Sequence, residues 1–179
     1  MLRLRQRLWG IEFFKMPNKV VEAAWPAEVP EDCHNKIRDL VAYWMSIHPA
    51  EGLPGRQHFD PAAVCHLLAN IRLLDVVGDP PRFMTRVMGT RLRDFYGREH
   101  TGHWFDEMFP HFEQSGTHAD LVMTVRTKRP AWRRGKPNLH FKKDFLALER
   151  VFLPLARNGV DLDMVLTLVL FVDHDGRYC

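Results

Sequence analysis

Apolar residues recur at spacings of three and four through Ile37, Leu40, Val41, Trp44 and Ile47. That period predicts one face of an amphipathic helix, starting near Asp32, a residue suited to cap it. Ahead of it, residues 17–31 hold three prolines and no sustained period, so 1–31 reads as an arm and linker and 32–175 as the domain. The stretch Pro49–His58, with Gly52, Pro54 and Gly55, is a loop. Asp60-Pro61 restarts a helix, because Asp accepts from free amides and Pro sits where no N–H is needed. Val64, Leu67 and Leu68 are its expected buried side, with Cys65 in or near the core.

A β-rich run from Ile71 to Val77 leads through Gly78-Asp79-Pro80-Pro81 into a return strand, Phe83 to Met88. Strict alternation would put Phe83, Thr85 and Val87 on one face of it and Arg86 on the other. Thr90–Tyr96 is a short helix stopped by Gly97, Trp104–Phe109 another helical piece, and a longer helix ends near Arg126. Ala131–Lys136 and Leu139–Lys142 are weak strand candidates, Phe145–Leu155 is a strong one, and a last strand follows the Arg157-Asn158-Gly159 turn. In that last strand Leu162, Met164, Leu166, Leu168, Leu170 and Val172 form an inward row, and Val165, Thr167, Val169 and Phe171 the opposite one. A strand apolar on both faces is covered on both. The helix bearing Leu40 and Trp44, or a second copy of the chain, is the expected cover. Leu40, Trp44, Val165, Val169 and Phe171 therefore form a candidate partner or homodimer interface. Helices, a hairpin, short helices and then strands predict an α+β domain with an antiparallel sheet.

Composition narrows the class. The 179 residues are 46% hydrophobic and 26% charged, which excludes disorder and coiled coil, and no apolar run is long enough to span a membrane. Three cysteines, Cys33, Cys65 and Cys179, lie far apart and outside any CxxC, the usage of a reduced, cytoplasmic protein. The formal net charge of +3 is matched by residues 1–15 alone, where Arg3, Arg5, Arg7 and Lys15 face Glu12. The arm carries an apolar stripe, Leu4, Leu8, Ile11 and Phe14, suited to an anionic surface; a frayed extension, or a start at Met16, is the simpler reading.

In order and spacing, Tyr43-Trp44, Asp60-Pro61, Leu67-Leu68, Arg72-Leu73-Leu74-Asp75, Arg82-Phe83, Gly89-Thr90, Tyr96-Gly97-Arg98, Thr101-Gly102, Glu149-Arg150, Leu153-Pro154-Leu155 and Asp163 resemble the small bacterial stand-alone PAS-domain proteins. The resemblance covers roughly residues 37–172. It implies a five-stranded antiparallel sheet with short helices on one face and an N-terminal capping helix. It also implies a sensory or regulatory role with no attached kinase or cyclase. Helices folded over a curved sheet leave an apolar cavity, and a ligand favouring one packing shifts the equilibrium toward it. Phe83, Thr85, Val87, Trp104, Met123 and Leu166 are the expected lining of that pocket. The occupant is then a small molecule, or the surface docks a regulatory protein, with the N-terminal helix as reader.

Specific cofactors find little in the residues. His111 and His118 fall in or beside the long helix where haem would need a ligand, but Gly116 and Asp120 around them suggest an exposed first turn, and haem is not favoured. Cys65 lacks a flavin-site setting, so flavin is not favoured either. His100, His103 and Asp106 are spaced by three, yet without a diagnostic zinc pattern a solvated turn is preferred, as it is for Asp173, His174 and Asp175. No catalytic motif occurs, and Glu149 and Arg150 point to opposite faces of a strand, so they make no dyad. The remaining candidate is the cationic stretch Lys128–Lys143, where Trp132 and Phe141 interleave with Arg133, Arg134, Lys142 and Lys143. It suits nucleic acid or another polyanion, against the simpler reading of a charge-protected hairpin edge, which is preferred.

Overall fold

The computed structural model describes residues 25–136 and 147–179. The first helix, α1 (Asn35–Ser46), buries Ile37, Leu40, Val41 and Trp44, the stripe its spacing predicts. Its cap is His34 rather than Asp32: the His34 ring accepts from the Lys36 amide at 3.1 Å. Turns closed by Val29 N–H to Pro26 and Cys33 N–H to Pro30 carry the chain inward first, so Val29 and Cys33 join the core and the helix begins later.

Asp60 does cap the next segment, accepting from the Ala62 amide at 2.9 Å, but residues Pro61–Asn70 form 3₁₀ turns with a kink at Val64. Three residues per turn align Val64, Leu67 and Asn70 inward and send Cys65 and Leu68 outward. The expected core positions of those two residues are thereby corrected.

Five strands follow: β1 (Ile71–Val77), β2 (Arg82–Met88), β3 (Ala131–Gly135), β4 (Ala147–Leu155) and β5 (Met164–Val172). They form one antiparallel sheet in the order β2-β1-β5-β4-β3, with β5 in the middle. Between β2 and β3 run α2 (Thr90–Tyr96), α3 (Phe105–Met108) and α4 (Gly116–Thr127). Gly97, at φ 79°, ends α2 in a left-handed turn that a side chain would strain.

The sheet is covered on both faces by its own chain. Under α1 and the 3₁₀ segment lie Leu73, Val151, Leu153, Leu155, Leu166 and Leu168. Under α2, α3 and α4 lie Leu74, Leu148, Phe152, Val165, Val169 and Phe171. Each such side chain, fully buried, contributes about 1.5–3 kcal/mol.

This arrangement corrects the expected interface. Leu40 and Trp44 cover the Met164–Leu170 row, Trp44 also donating to the Pro154 carbonyl at 3.0 Å. Val165, Val169 and Phe171 face the opposite helices, where Phe95 packs its ring 4.0 Å from Phe171. All five residues are buried within the chain, so none forms a free apolar surface for a second copy.

Candidate ligand cavity

Strand alternation sends Arg72 and Leu74 of β1, Leu148, Arg150 and Phe152 of β4, and Thr167 and Val169 of β5 toward α2, α3 and α4. With Tyr96, Phe105, Thr117 and Leu121 from those helices they enclose a narrow cavity. Within it the centre of a water-sized sphere can move through about 20 Å³, the room of roughly one water molecule.

Two full charges stand in this wall. Arg72 is 3% exposed and Arg150 2%. Charged side chains are almost never so deeply buried unless paired. Arg150 donates from Nη1 to the Thr117 hydroxyl at 2.9 Å, and Arg72 sits over the rings of Tyr96 and Phe105 at 4.8 and 5.0 Å. Those aromatic faces attract the cation but accept no directed hydrogen bond from its fork. Nε and Nη2 of both arginines are buried with no hydrogen-bond partner among the described residues. Burial pulls the Arg150 guanidinium below its ordinary pKa, with Tyr96 and Asp120 opposing that pull.

The helix above the cavity is polar on its buried side. Ser115 caps α4 by accepting from the His118 amide at 3.1 Å, and the helix turns Thr117, Asp120, Leu121 and Thr124 inward. Asp120 takes Arg133 of β3 in a two-bond fork, Nε at 2.5 Å and Nη2 at 2.6 Å. Nearby His100 is 2% exposed, its Nε2 accepting from Arg98 Nε at 3.0 Å, which leaves the proton on an unpartnered Nδ1. Burial, then Arg72 and Arg98, hold its pKa down to about 4.

None of the six residues expected to line a pocket lines this cavity. Phe83 and Thr85 are buried on the same side of the sheet, Leu166 on the opposite side under α1. A bulge between Leu73 and Leu74 leaves Arg86 as an extra residue in β2, so Val87 falls out of phase with Thr85. Val87 is 45% exposed and lines an outer groove of about 340 Å³ with Leu68, Phe59 and Met88. Met123 is exposed, and Trp104 lies half-buried beneath Arg82.

The other candidates also disperse. Arg133 is joined to Asp120 on one face of β3 while Arg134 lies 5.9 Å over the Tyr178 ring on the other; Lys142 and Lys143 lie outside the described residues, as does the N-terminal arm. Instead of a solvated turn, His100 is buried, His103 is exposed, and Asp106 pairs with Arg82 at 2.7 Å. Among the described residues no three metal-ligating side chains converge. His111 is exposed and His118 half-buried, its ring packed edge-on against Phe83 and Phe112.

Beside Arg150 on β4, Glu149 points the opposite way, under α1. It accepts from the His34 amide at 3.0 Å, from Trp132 Nε1 at 3.1 Å and from the Tyr178 hydroxyl. The start of α1, strand β3 and the segment after β5 thus meet on one carboxylate. Burial and that carboxylate push the Tyr178 hydroxyl up to about 12.

Sequence reasoning passed over Arg72, Arg150 and Thr117 as site residues. The available signal was an arginine set directly against an apolar run, Ile71-Arg72-Leu73-Leu74 and Arg150-Val151-Phe152-Leu153. No helix among the described residues is long and apolar enough to cross a membrane. No curated protein and no solved structure matches the chain. A family model described as PAS domain matches residues 33–169 of the 179. A five-stranded antiparallel sheet with short helices over it is the architecture that match implies, and PAS domains are in general sensory and regulatory rather than catalytic. The chain belongs to the PAS-domain family.

Proposed function

We propose that residues 32–175 act as a cytoplasmic sensory module that binds a small molecule in the cavity between the sheet and α2–α4. The observation that carries this reading is the pair of buried, incompletely satisfied arginines in the cavity wall. A protein filling its core for stability alone gains nothing from two such charges, since each unsatisfied buried donor costs about 1–3 kcal/mol. A bound ligand that satisfies them changes the position of Arg150, and Glu149 is the next residue on the same strand. Through Glu149 the change reaches His34 at the start of α1, Trp132 and Tyr178. The α1 end and the segment after β5 are then the surface a downstream partner reads. Such a coupling requires the ligand to favour one packing over the other, by whatever difference in affinity the two packings offer.

Native mass spectrometry of gently purified protein, beside a denatured spectrum, tests the reading. The expected result is a low-mass adduct that denaturation releases. An unliganded native species, with hydrogen exchange at His34–Ser46 unchanged across a panel of small metabolites, overturns it.

A further inference from the structure

We infer that the outer groove beside Val87 binds an anionic amphiphile of the medium-chain fatty-acid class, its carboxylate on Arg56 and its chain along Leu68, Ile71, Leu73 and Val87. Phe59, Ile71 and Leu73 of the groove belong to the core under α1, and no residue lines both the groove and the cavity under α2–α4. The site therefore goes beyond the sensory reading and stands or falls apart from it.

Two unrelated irregularities of the backbone open onto this groove. The 3₁₀ pitch of Pro61–Asn70 turns Leu68 outward, and the bulge in β2 turns Val87 outward, leaving them 36% and 45% exposed. Bulges re-aim side chains and are over-represented beside sites of function. Here both departures deliver an apolar side chain to the same trough. Its walls are fixed at Gly89, which donates to the Ile71 carbonyl at 2.8 Å and packs so closely that any side chain there would run into the carbonyl oxygens of Leu68 and Ala69.

Charge and size select the occupant. Arg56 lies over the Phe59 ring, 5.4 Å from its centre, and donates from Nη1 to the Phe59 carbonyl at 3.0 Å. Both contacts hold the guanidinium in place and neither neutralises it, and no acid lines the groove. An apolar trough with one fixed cation complements a hydrocarbon chain with one anionic head. At about 340 Å³ the groove has the volume of a small-molecule site. A partner protein needs about 800 Å² of contact on each side, whereas Leu68 and Val87 are the large apolar side chains this groove exposes. The N-terminal arm, with Arg3, Arg5 and Arg7, would bring like charge to Arg56.

The test follows leucine and valine methyl signals of the isotope-labelled full chain by NMR. The probes are hexanoate, octanoate and decanoate below their micelle concentrations, with decyltrimethylammonium as the cationic counterpart. Saturable shifts are expected at Leu68 and Val87 and none at Val77, which is 50% exposed at the far end of the same hairpin. Each added methylene should tighten binding about two- to fourfold. Arg56→Gln should weaken decanoate about three- to fivefold, the range of an exposed ion pair, without weakening the cationic probe. Val87→Asp, at an exposed position, should weaken decanoate about tenfold by placing a charge in the trough. If a variant fails to fold, the contrast between decanoate and the cationic probe on the unaltered chain decides alone. Equal binding of those two probes, shifts at Val77 that match those at Leu68, decanoate binding indifferent to Arg56→Gln, or no binding at all overturns the inference. A Leu68 shift on Leu8→Asp without any probe would seat the arm in the groove, and a fall in sedimentation mass on Val87→Asp would seat a second copy; either overturns it. A low-mass adduct in the native mass spectrum, with Leu68 and Val87 indifferent to every probe, removes this site and leaves the sensory reading standing.

Discussion

The two faces of the central strands are built on opposite rules. Under α1 the sheet presents Leu73, Val151, Leu153, Leu166 and Leu168, and its one buried charge, Glu149, accepts from three donors. Under α2–α4 it presents Arg72, Arg150 and Thr167 among the apolar residues, and four guanidinium nitrogens there lack partners. The same strands supply both faces, so neither propensity nor topology accounts for the difference. A face whose every polar group is satisfied is stabilising; a face with unpartnered buried donors is held at a cost, and such cost concentrates at sites of function.

Breaking the satisfied face should have the larger effect. Glu149→Ala removes the acceptor of the His34 amide, Trp132 Nε1 and the Tyr178 hydroxyl at once, leaving part-buried donors unmatched. A loss of about 4 kcal/mol in urea unfolding is expected, the scale for removing one partner from a buried charged network. Hydrogen exchange should also rise at the start of α1, because the carboxylate is its anchor. A loss under about 1 kcal/mol would mean the three donors find water instead, and the contrast between the faces would fail. On the same face Leu40→Ala, at a fully buried position, should cost about 3 kcal/mol by transfer and cavity formation combined.

What the sequence made legible follows from the same contrast. The α1 face is apolar at helical period on one side and alternating on the other, so Ile37, Leu40, Val41 and Trp44 and the strand row beneath them were readable. Which helix covers which row of β5 was not, since both rows are apolar and alternation alone is symmetric between faces. The pocket escaped for two local reasons. The bulge in β2 breaks the period-two pattern at Arg86, which turned Val87 outward against expectation. The 3₁₀ pitch of Pro61–Asn70 did the same for Leu68. The arginines were missed because a charge in an apolar strand reads as an interruption, while its burial depends on helices more than twenty residues away in sequence.

Acid sharpens the comparison from the polar side. His100 has a folded pKa of about 4 against an ordinary 6.5, so the folded state disfavours its protonation. Between those values the unfolded chain binds a proton that the folded chain does not, and stability falls as the pH falls. The window is pH 6.5 down to about 4, and the loss attributable to His100 is up to about 3 kcal/mol. Urea midpoints for the unaltered chain and His100→Gln, measured from pH 7.5 to 4, should differ in slope over that window. Parallel slopes would assign the acid sensitivity to other groups.

The smallest expected effect has the opposite sign and is the most discriminating. Arg150→Met replaces a buried guanidinium, with two unpartnered nitrogens, by an apolar side chain of similar length. The substitution gives up one bond, to the Thr117 hydroxyl, and relieves a desolvated charge. Replacing buried charges by apolar residues is often neutral or stabilising, so the ligand-free protein should gain about 1 kcal/mol. Glu149, its neighbour on β4, is expected to lose about four times that on substitution, though both are equally buried. The gain must be measured after extensive dialysis, because a retained small molecule would stabilise the unaltered chain by mass action and mask it. A loss of more than about 2 kcal/mol in the dialysed variant would make Arg150 a structural residue whose partners lie within the chain. A gain erased by ligand would show that the polar face exchanges stability for binding.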